Sequence, residues 1–540
     1  VKRPLTQKFL TLEMSETIDP FTGTTRTTAE TSRNAITKAI LTLTNAIKTS
    51  YGALGLDKMC IGTTGDVLIT NDGATILTNM DVKDPIANLI IELSRQQDVE
   101  MGDGTTGVVL LASALIEKGN ELIKRGLHPS VVVSGYKMAF RESQRFIKEK
   151  LENKNVNIDA VIDTTLSSKV IHSKHFNELT LKAVKAVEHV DFLGKRRYGI
   201  KNINILKKEG GQMSDSFAVE GYAINARPCS TEMPAKMKNV RVALLDFDLG
   251  KIRLPLNVNI VVNDPDMLES NRKKEISMAL DRVKKILESA DVILSSRNID
   301  DVCVKPIIEA KKIGIKRVPM KDLKVLSKAL NIAISKTEEI ETAQIDEITV
   351  EQLAHEDYTI LKFGKNLSSI VLRGGNDTLL EEMERSVNDG LCAIKRTLEC
   401  ESVLAGGGAF ECALSIFLEE YAFSLPSKEA AAIFTYSESL LVIPKTLAMN
   451  AGLDANQVLS ELRAFQNNGN QEGVSDCFDY GLDIRTGEIV NNIERGIVEP
   501  GVSKIRALRA ATEVAISILR IDEVIKIPEA PKKQRKEMCG

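Results

Sequence analysis

The stretch Gly102-Asp103-Gly104-Thr105-Thr106, set directly before an apolar helical pattern that begins at Val108, organises the reading of this chain. Two glycines let the backbone bend so that successive N–H groups point at one anion, and the following helix adds the partial positive charge of its N-terminus. That is the form of a phosphate cradle. A carboxylate at Asp103 would repel a bare phosphate, so a divalent cation bridging the two is expected, magnesium beside a nucleotide. A plain helix-capping turn fits the same letters. Gly102, Gly104 and Gly107 also satisfy G-x-G-x-x-G, with Val109 completing the kinase form, but the preceding run from Glu92 to Asp98 is polar and no buried strand. Neither V-A-I-K, H-R-D and D-F-G elements nor G-x-x-x-x-G-K-[ST] occur, so the chain holds a nucleotide in some other way.

A second turn of the same kind lies upstream. Val67-Leu68-Ile69-Thr70 reads as a short strand, and Asn71-Asp72-Gly73-Ala74-Thr75 follows as a turn that starts a helix. Asp72 and Asp103 both open helices after or beside glycines, so the two carboxylates are expected to converge on one phosphate site, one for metal and one for water. Before it, an amphipathic helix with Ala35, Ile36, Ala39, Ile40, Leu43 and Ile47 is expected to end at Gly52, and the turn Gly52-Ala53-Leu54-Gly55 would let backbone approach a ligand. The helix from Thr105 to Lys124, about 30 Å long, should anchor the cradle in a core. His128-Pro129 then stops it, and a further helix runs to the Lys148 region.

Composition narrows the class. The chain has 540 residues, 43% hydrophobic and 27% charged, which is ordinary for a soluble protein of about two to four domains. A net charge of −3 gives no electrostatic case for nucleic acid or an anionic membrane. The eight cysteines form no C-x-x-C and no zinc spacing, so they read as reduced thiols. No apolar run approaches the roughly 18 residues that span a bilayer and no signal-peptide core opens the sequence, so a cytoplasmic protein is expected.

Residues 1 to 28, rich in threonine, suit an extended tail better than a helix. The polar stretch from Glu152 to Asp159 reads as a hinge or a domain boundary. In Thr164-Thr165-Leu166-Ser167-Ser168-Lys169, hydroxyls beside a lysine suit a phosphate, and equally a solvated loop or cap. From Phe217 to Lys362 short strands alternate with helices, a separate α/β domain with strands expected at Val240 to Leu245, Asn259 to Val262, Val292 to Ser296 and Ile315 to Pro319. Its helices are expected near Pro265 to Glu288, Asp300 to Ile313 and Lys321 to Ala329. Helical sequence returns around Leu379 to Leu398, where Asp389 taken alone is a solvated surface charge. Gly406-Gly407-Gly408 then precedes another helix, allowing either close approach of a ligand or a flexible connector. A mainly helical region at each end of the chain thus encloses a different middle, the pattern of one domain inserted into another. The basic, proline-containing end from Ile527 to Lys536 reads as solvated tail.

Taken in order, the Asn71 to Thr75, Gly102 to Thr106 and Gly406 to Gly408 motifs resemble those of a group II chaperonin, and the resemblance covers nearly the whole chain. Leu441-Val442-Ile443-Pro444, Leu462-Arg463-Ala464-Phe465 and Ile518-Leu519-Arg520-Ile521-Asp522-Glu523 extend it towards the alpha type of subunit in the eukaryotic branch. The resemblance implies a multidomain chaperonin fold. It has a mainly α equatorial ATP-binding domain at 1–150 and 403–540, an α/β intermediate domain at 151–216 and 368–402, and an α/β apical substrate-binding domain at 217–367 with a helical lid protrusion near 251–275.

It further implies an Mg2+-dependent ATPase: Asp103 on magnesium, Gly102, Gly104, Thr105 and Thr106 on the phosphates, and Asp72 and Asp389 positioning or activating the attacking water. Leu54 and Gly55 would also bind the nucleotide, ATP or ADP, with Gly407 and Gly408 facing the nucleoside, Gly481 near the base and Glu499 at the ribose, and Lys169 resembles the lysine of a nucleotide-sensing loop. Implied partners are paralogous subunits in a hetero-oligomeric double ring, two rings of eight, and non-native clients such as cytoskeletal proteins, with no nucleic acid and no membrane. Ala53 departs from the family's usual proline after the first glycine and should leave that turn less rigid. Rival readings are a nucleotide-binding subunit that contributes interfaces rather than turnover, and a free-standing small-molecule kinase, which lacks an acceptor site.

Overall fold

The computed structural model describes residues 16–18, 25–27, 29–62, 65, 67–80, 82, 84–151, 157–250, 265–337, 339–353, 356–364, 367–472 and 475–526. The Asn259 to Val262 strand, the 251–264 part of the protrusion and the basic tail from Ile527 lie outside the described residues, as do most of residues 1 to 28. By packing, the chain divides into two units, Val1–Lys169 with Arg396–Gly540, and Val170–Lys395.

The first unit is built on the Thr105–Lys124 helix, whose bounds coincide with those expected. Its sequence pattern suggests one apolar face, but Val108, Val109, Leu110, Leu111, Ala112 and Leu115 are all buried, so the first turns are enclosed on every side. Each of these valine and leucine side chains contributes about 1.5–3 kcal/mol by leaving water. Neighbouring helices Ala29–Lys48, Pro85–Met101, Glu429–Leu440 and Gly501–Leu519 supply the enclosing surfaces. Gly119 sets the closest approach, since a Cβ there would fall 2.6 Å from Leu519 Cδ1. Tyr136 crosses the same helix and donates its hydroxyl to Leu115 O at 2.9 Å. The two ends of the unit meet in a small sheet, where Thr25–Thr27 pairs with both Glu16–Ile18 and Val524–Lys526. The opening helix stops at Lys48, one turn before Gly52, and the helix Pro129–Phe146 passes into a π-turn at Ile147–Leu151.

The second unit holds two sheets. One is six-stranded, in the order Ile313–Ile315, Val292–Ser295, Lys236–Leu245, Thr342–Leu353, Glu356–Lys362, Tyr222–Ile224. The first three strands are parallel, and the intervening helices Pro265–Ser289 and Asp301–Glu309 make the crossovers that parallel pairing needs. The sheet is buried on both faces, so alternate residues serve different cores: Val242 and Leu244 pack with Leu323 and Leu326, while Ala243 and Leu245 pack with Val283 and Ile286. The strand expected at Ile315 to Pro319 instead ends at Ile315, because Arg317 takes a left-handed φ of 58° and Pro319 caps the helix Met320–Leu330. The other sheet is three-stranded, with the fully buried Ser368–Gly374 between Ile203–Glu209 and Phe217–Glu220. The architecture is helical with mixed sheets.

Candidate functional site

In the first unit the chain's glycine turns gather around the start of the Thr105–Lys124 helix. The hairpin Lys58–Ile61 and Val67–Thr70 delivers Asp72 to the start of the helix Gly73–Asn79. There the Asp72 carboxylate accepts from Ala74 N at 3.3 Å, Thr75 N at 2.9 Å and Thr75 Oγ1 at 2.6 Å. A fourth donor comes from the other turn, Thr105 Oγ1 at 2.9 Å. The two turns therefore meet, and Gly73 is what permits it, since a Cβ there would lie 2.4 Å from Thr106 Oγ1. Burial works to raise the Asp72 carboxyl, but the Thr75 hydroxyl, the Lys169 charge and Thr105 together hold it below its ordinary value.

Asp103 is half-buried in the second turn, flanked by Gly102 and Gly104 at φ of 72° and 78°, left-handed values that glycine adopts without strain. Its Oδ1 accepts from Gly104 N at 2.6 Å. Burial pushes its carboxyl up, against the pull of the Gly104 N–H, Lys169 and Lys504, with Asp72 adding to the rise. Lys169 donates to Asn71 Oδ1 at 3.3 Å, and Asn71 Nδ2 donates to Ser168 O at 2.6 Å, which ties the lysine to the Asp72 turn. Asp98, on the last turn of the Pro85–Met101 helix, faces Asp72 and Lys169 and is raised chiefly by burial and then by the Asp72 charge.

The nucleoside-side candidates gather around Gly406–Gly408. Strand Val403–Ala405 pairs with Val498–Pro500, setting Glu499 opposite Leu404. A Cβ on Gly406 would lie 3.3 Å from Glu499 Oε1. Leu482 N donates to Gly407 O at 3.0 Å, and a Cβ on Gly481 would fall 2.8 Å from Gly406 O. Asn492 Nδ2 holds Gly406 O at 2.7 Å. Glu499 Oε2 meets Lys504 Nζ at 2.9 Å, and Lys504 also pairs with the buried Glu411 at 2.8 Å. Burial opposes the Lys504 charge, yet Glu411 and Glu499 raise its pKa well above the ordinary lysine value; burial also raises Glu499. Leu54 is exposed and Gly55 closes its own turn, donating to Gly52 O at 2.9 Å. Asp389 belongs to the other unit, half-buried on the helix Asp377–Cys400.

Sequence reading missed Asp98, Lys504, Glu411, Asn492 and Tyr51. Asp98 stands one turn ahead of Gly102, whose N–H its backbone carbonyl accepts at 2.8 Å, and its side chain carried no separate signal. The Lys504 and Glu411 pair is 93 residues apart in the chain and carried none.

These residues fit an anion with a metal. The helices Thr105–Lys124 and Ala409–Ser424 start at left-handed glycines, Gly104 and Gly408, with no side chain capping them; Asp301–Glu309, Met320–Leu330, Glu429–Leu440, Val442–Asn450 and Gly501–Leu519 also lack a side-chain cap, but none of these starts at a left-handed glycine. An uncapped helix start presents its N–H groups and dipole to a ligand. Among the described residues no group of three His, Cys, Asp or Glu forms an all-protein metal site. Magnesium suits a single carboxylate such as Asp103, since it keeps water and takes phosphate oxygens. No helix among the described residues is long and apolar enough to cross a membrane.

Comparison with known proteins agrees with the motifs. The sequence model of the TCP-1/cpn60 chaperonin family matches residues 43–528. T-complex protein 1 subunit alpha of Encephalitozoon cuniculi (strain GB-M1) is 47% identical over 508 residues, 91% of this chain and 94% of that protein. The protein of the same name from Arabidopsis thaliana is 41% identical over 506 residues, 90% and 93% of the two chains. Thermosome subunit alpha of Archaeoglobus fulgidus is 34% identical over 519 residues, 93% of each. With a family match from residue 43 to residue 528 and higher identity to these T-complex alpha subunits than to the thermosome subunit, the chain belongs to the TCP-1/cpn60 chaperonin family, in its group II branch.

Proposed function

We propose that this chain is an ATP-hydrolysing subunit of a cytoplasmic hetero-oligomeric chaperonin, two stacked rings of eight paralogous subunits that enclose non-native proteins, cytoskeletal proteins among them. The observation that carries the reading is the junction of the two aspartate turns, Asp72 on Thr105 at 2.9 Å, at a helix start that no side chain caps. In this reading residues 1–150 and 403–540 form the equatorial domain, 151–216 and 368–402 the intermediate domain and 217–367 the apical domain, whose 251–275 segment is the lid protrusion. Turnover then drives lid closure.

Bound magnesium supplies positive charge that offsets the phosphate oxygens, and Asp103 is the residue that would hold it. Gly102, Gly104, Thr105 and Thr106 bind phosphate through the helix start. Leu54 and Gly55 also bind the nucleotide, Gly407, Gly408, Gly481 and Glu499 border the nucleoside, with Glu499 at the ribose, and Lys169 senses the nucleotide. Asp72 already accepts four hydrogen bonds, and its depressed carboxyl is a poor base. It therefore orients the attacking water, and Asp389 is the residue that activates it.

The test is hydrolysis by the assembled particle carrying Asp389→Ala in this subunit alone. Loss of this subunit's share of turnover, with nucleotide still bound, is expected; unchanged turnover removes the catalytic assignment. Native mass spectrometry of the endogenous complex reads the assembly, and a single-chain ring or a monomer would refute the hetero-oligomer.

A further inference from the structure

Tyr51 sits just past the Ala29–Lys48 helix, in front of the Gly52 turn. Its backbone is pinned, because Asn450 Nδ2 donates to Tyr51 O at 2.7 Å and to Lys48 O at 3.0 Å. Its ring lies against the first turn of the Thr105–Lys124 helix: a Cβ on Gly107 would be 3.4 Å from Tyr51 Cε2 and 3.6 Å from its hydroxyl oxygen. The phenol thus stands one turn into the helix whose uncapped start is the phosphate cradle. The charged groups around it are Lys504, Glu499, Glu411 and Asp103, which come from both ends of the site, the metal carboxylate on one side and the ribose carboxylate on the other. Among the described residues its hydroxyl makes no hydrogen bond.

An O–H donor placed between a phosphate turn and a sugar carboxylate, with no acceptor among the described residues, is matched to an acceptor on the ligand. The surroundings say which one. Three carboxylates stand near, and the one ammonium among them, Lys504, is already held by Glu411 at 2.8 Å and Glu499 at 2.9 Å. A neutral donor is then the group available to hold a phosphate oxygen there. We propose that the Tyr51 hydroxyl is a nucleotide-binding group, donating to a phosphate oxygen at the sugar end of the polyphosphate, between the Asp103 turn and Glu499. The inference rests on the nucleotide reading of this site. Burial chiefly, then the neighbouring carboxylates, push the phenol well above its ordinary pKa against the pull of Lys504, which keeps it protonated as a donor.

Tyr51→Phe removes the oxygen and leaves the ring on Gly107. Isothermal titration of the full-length chain with MgADP, and separately with adenosine, reads the contact. MgADP binding is expected to weaken about three- to tenfold, the loss of one hydrogen bond. Adenosine binding and the melting temperature without nucleotide are expected to stay as in the unsubstituted chain, which a merely structural hydroxyl would not give. Equal MgADP affinity in the two chains overturns the Tyr51 contact and leaves the nucleotide reading standing. An equal loss with adenosine places the hydroxyl on the nucleoside and overturns the phosphate assignment. An unsubstituted chain that fails to bind MgADP overturns both.

Discussion

Replacing Gly73 by alanine is expected to separate the two aspartate turns. The added Cβ falls 2.4 Å from Thr106 Oγ1 and 3.1 Å from both Thr106 Cα and N, against an ordinary contact of about 3.5 Å. Rotating the Thr106 side chain relieves the first clash but not the two backbone ones, so the Asn71 to Gly73 turn must back away. Asp72 rides on that turn, and its 2.9 Å bond from Thr105 Oγ1 is the joint that opens. Overpacking of this kind costs about 1–3 kcal/mol of stability. The larger consequence is for catalysis, since misplacing an orienting group by about 1 Å lowers a rate on the order of a hundredfold. The assay is single-turnover ATP hydrolysis in a particle where every other subunit is hydrolysis-dead, read beside thermal unfolding. Gly126→Ala is the control: Gly126 has a φ of 97° and open space around its Cβ position, so it bears backbone strain of about 1–2 kcal/mol far from the cradle. It should lose stability and keep its hydrolysis rate. Gly73→Ala hydrolysing at the unsubstituted rate would refute the claim that the junction sets the geometry.

Lys504→Met strands Glu411 and Glu499 without their shared cation and is expected to destabilise the chain by about 3–5 kcal/mol, with partial rescue by Glu411→Gln in the double variant, measured by denaturant unfolding. Asp291 is held down to about 2 against burial by Arg241 and then Lys312, so its stabilisation is complete above the ordinary carboxylate value and is lost as pH falls through about 2. Asp291→Asn should therefore destabilise the second unit at pH 7, and the gap to the unsubstituted chain should close between about pH 4 and pH 2; a gap that stays constant with pH contradicts the ion pairing. Ala53→Pro is expected to stiffen the Gly52 turn and tighten MgADP binding slightly, by roughly twofold to fivefold; unchanged affinity means the turn is already rigid.

What the sequence made legible follows from how local its causes are. The Thr105–Lys124 helix was readable because its glycine start and apolar spacing are local to it, although it ends at Lys124, ahead of His128-Pro129, which instead opens the next helix. Asp72 was readable as a turn residue for the same reason, since three of its four donors lie within three positions of it. The fourth, Thr105, is 33 residues away, and Gly73's purpose becomes visible only against Thr106. The strand misplaced at Ile315 to Pro319 failed on a single backbone angle, the left-handed Arg317, which no side-chain periodicity reports. Lys504 was missed because in sequence it is an ordinary basic residue on the first turn of an amphipathic helix. Its burial between two carboxylates is created by the pairing of Val403–Ala405 with Val498–Pro500, a contact of nearly a hundred residues in span.

Lys169 combines a place in the chain with a place in the site. It is the last residue of the first unit before the chain passes into the second. It is also the cation bonded to Asn71 and facing Asp72, Asp98 and Asp103. Three carboxylates around one ammonium leave a local excess of negative charge, which favours a further cation there and disfavours a bare anion. A metal ion bound with phosphate would change the field at Lys169 and thus the strength of its hold on the Asp72 turn. In the proposed nucleotide reading, Lys169 would therefore respond to what the cradle contains through electrostatics alone, over contacts made within the first unit.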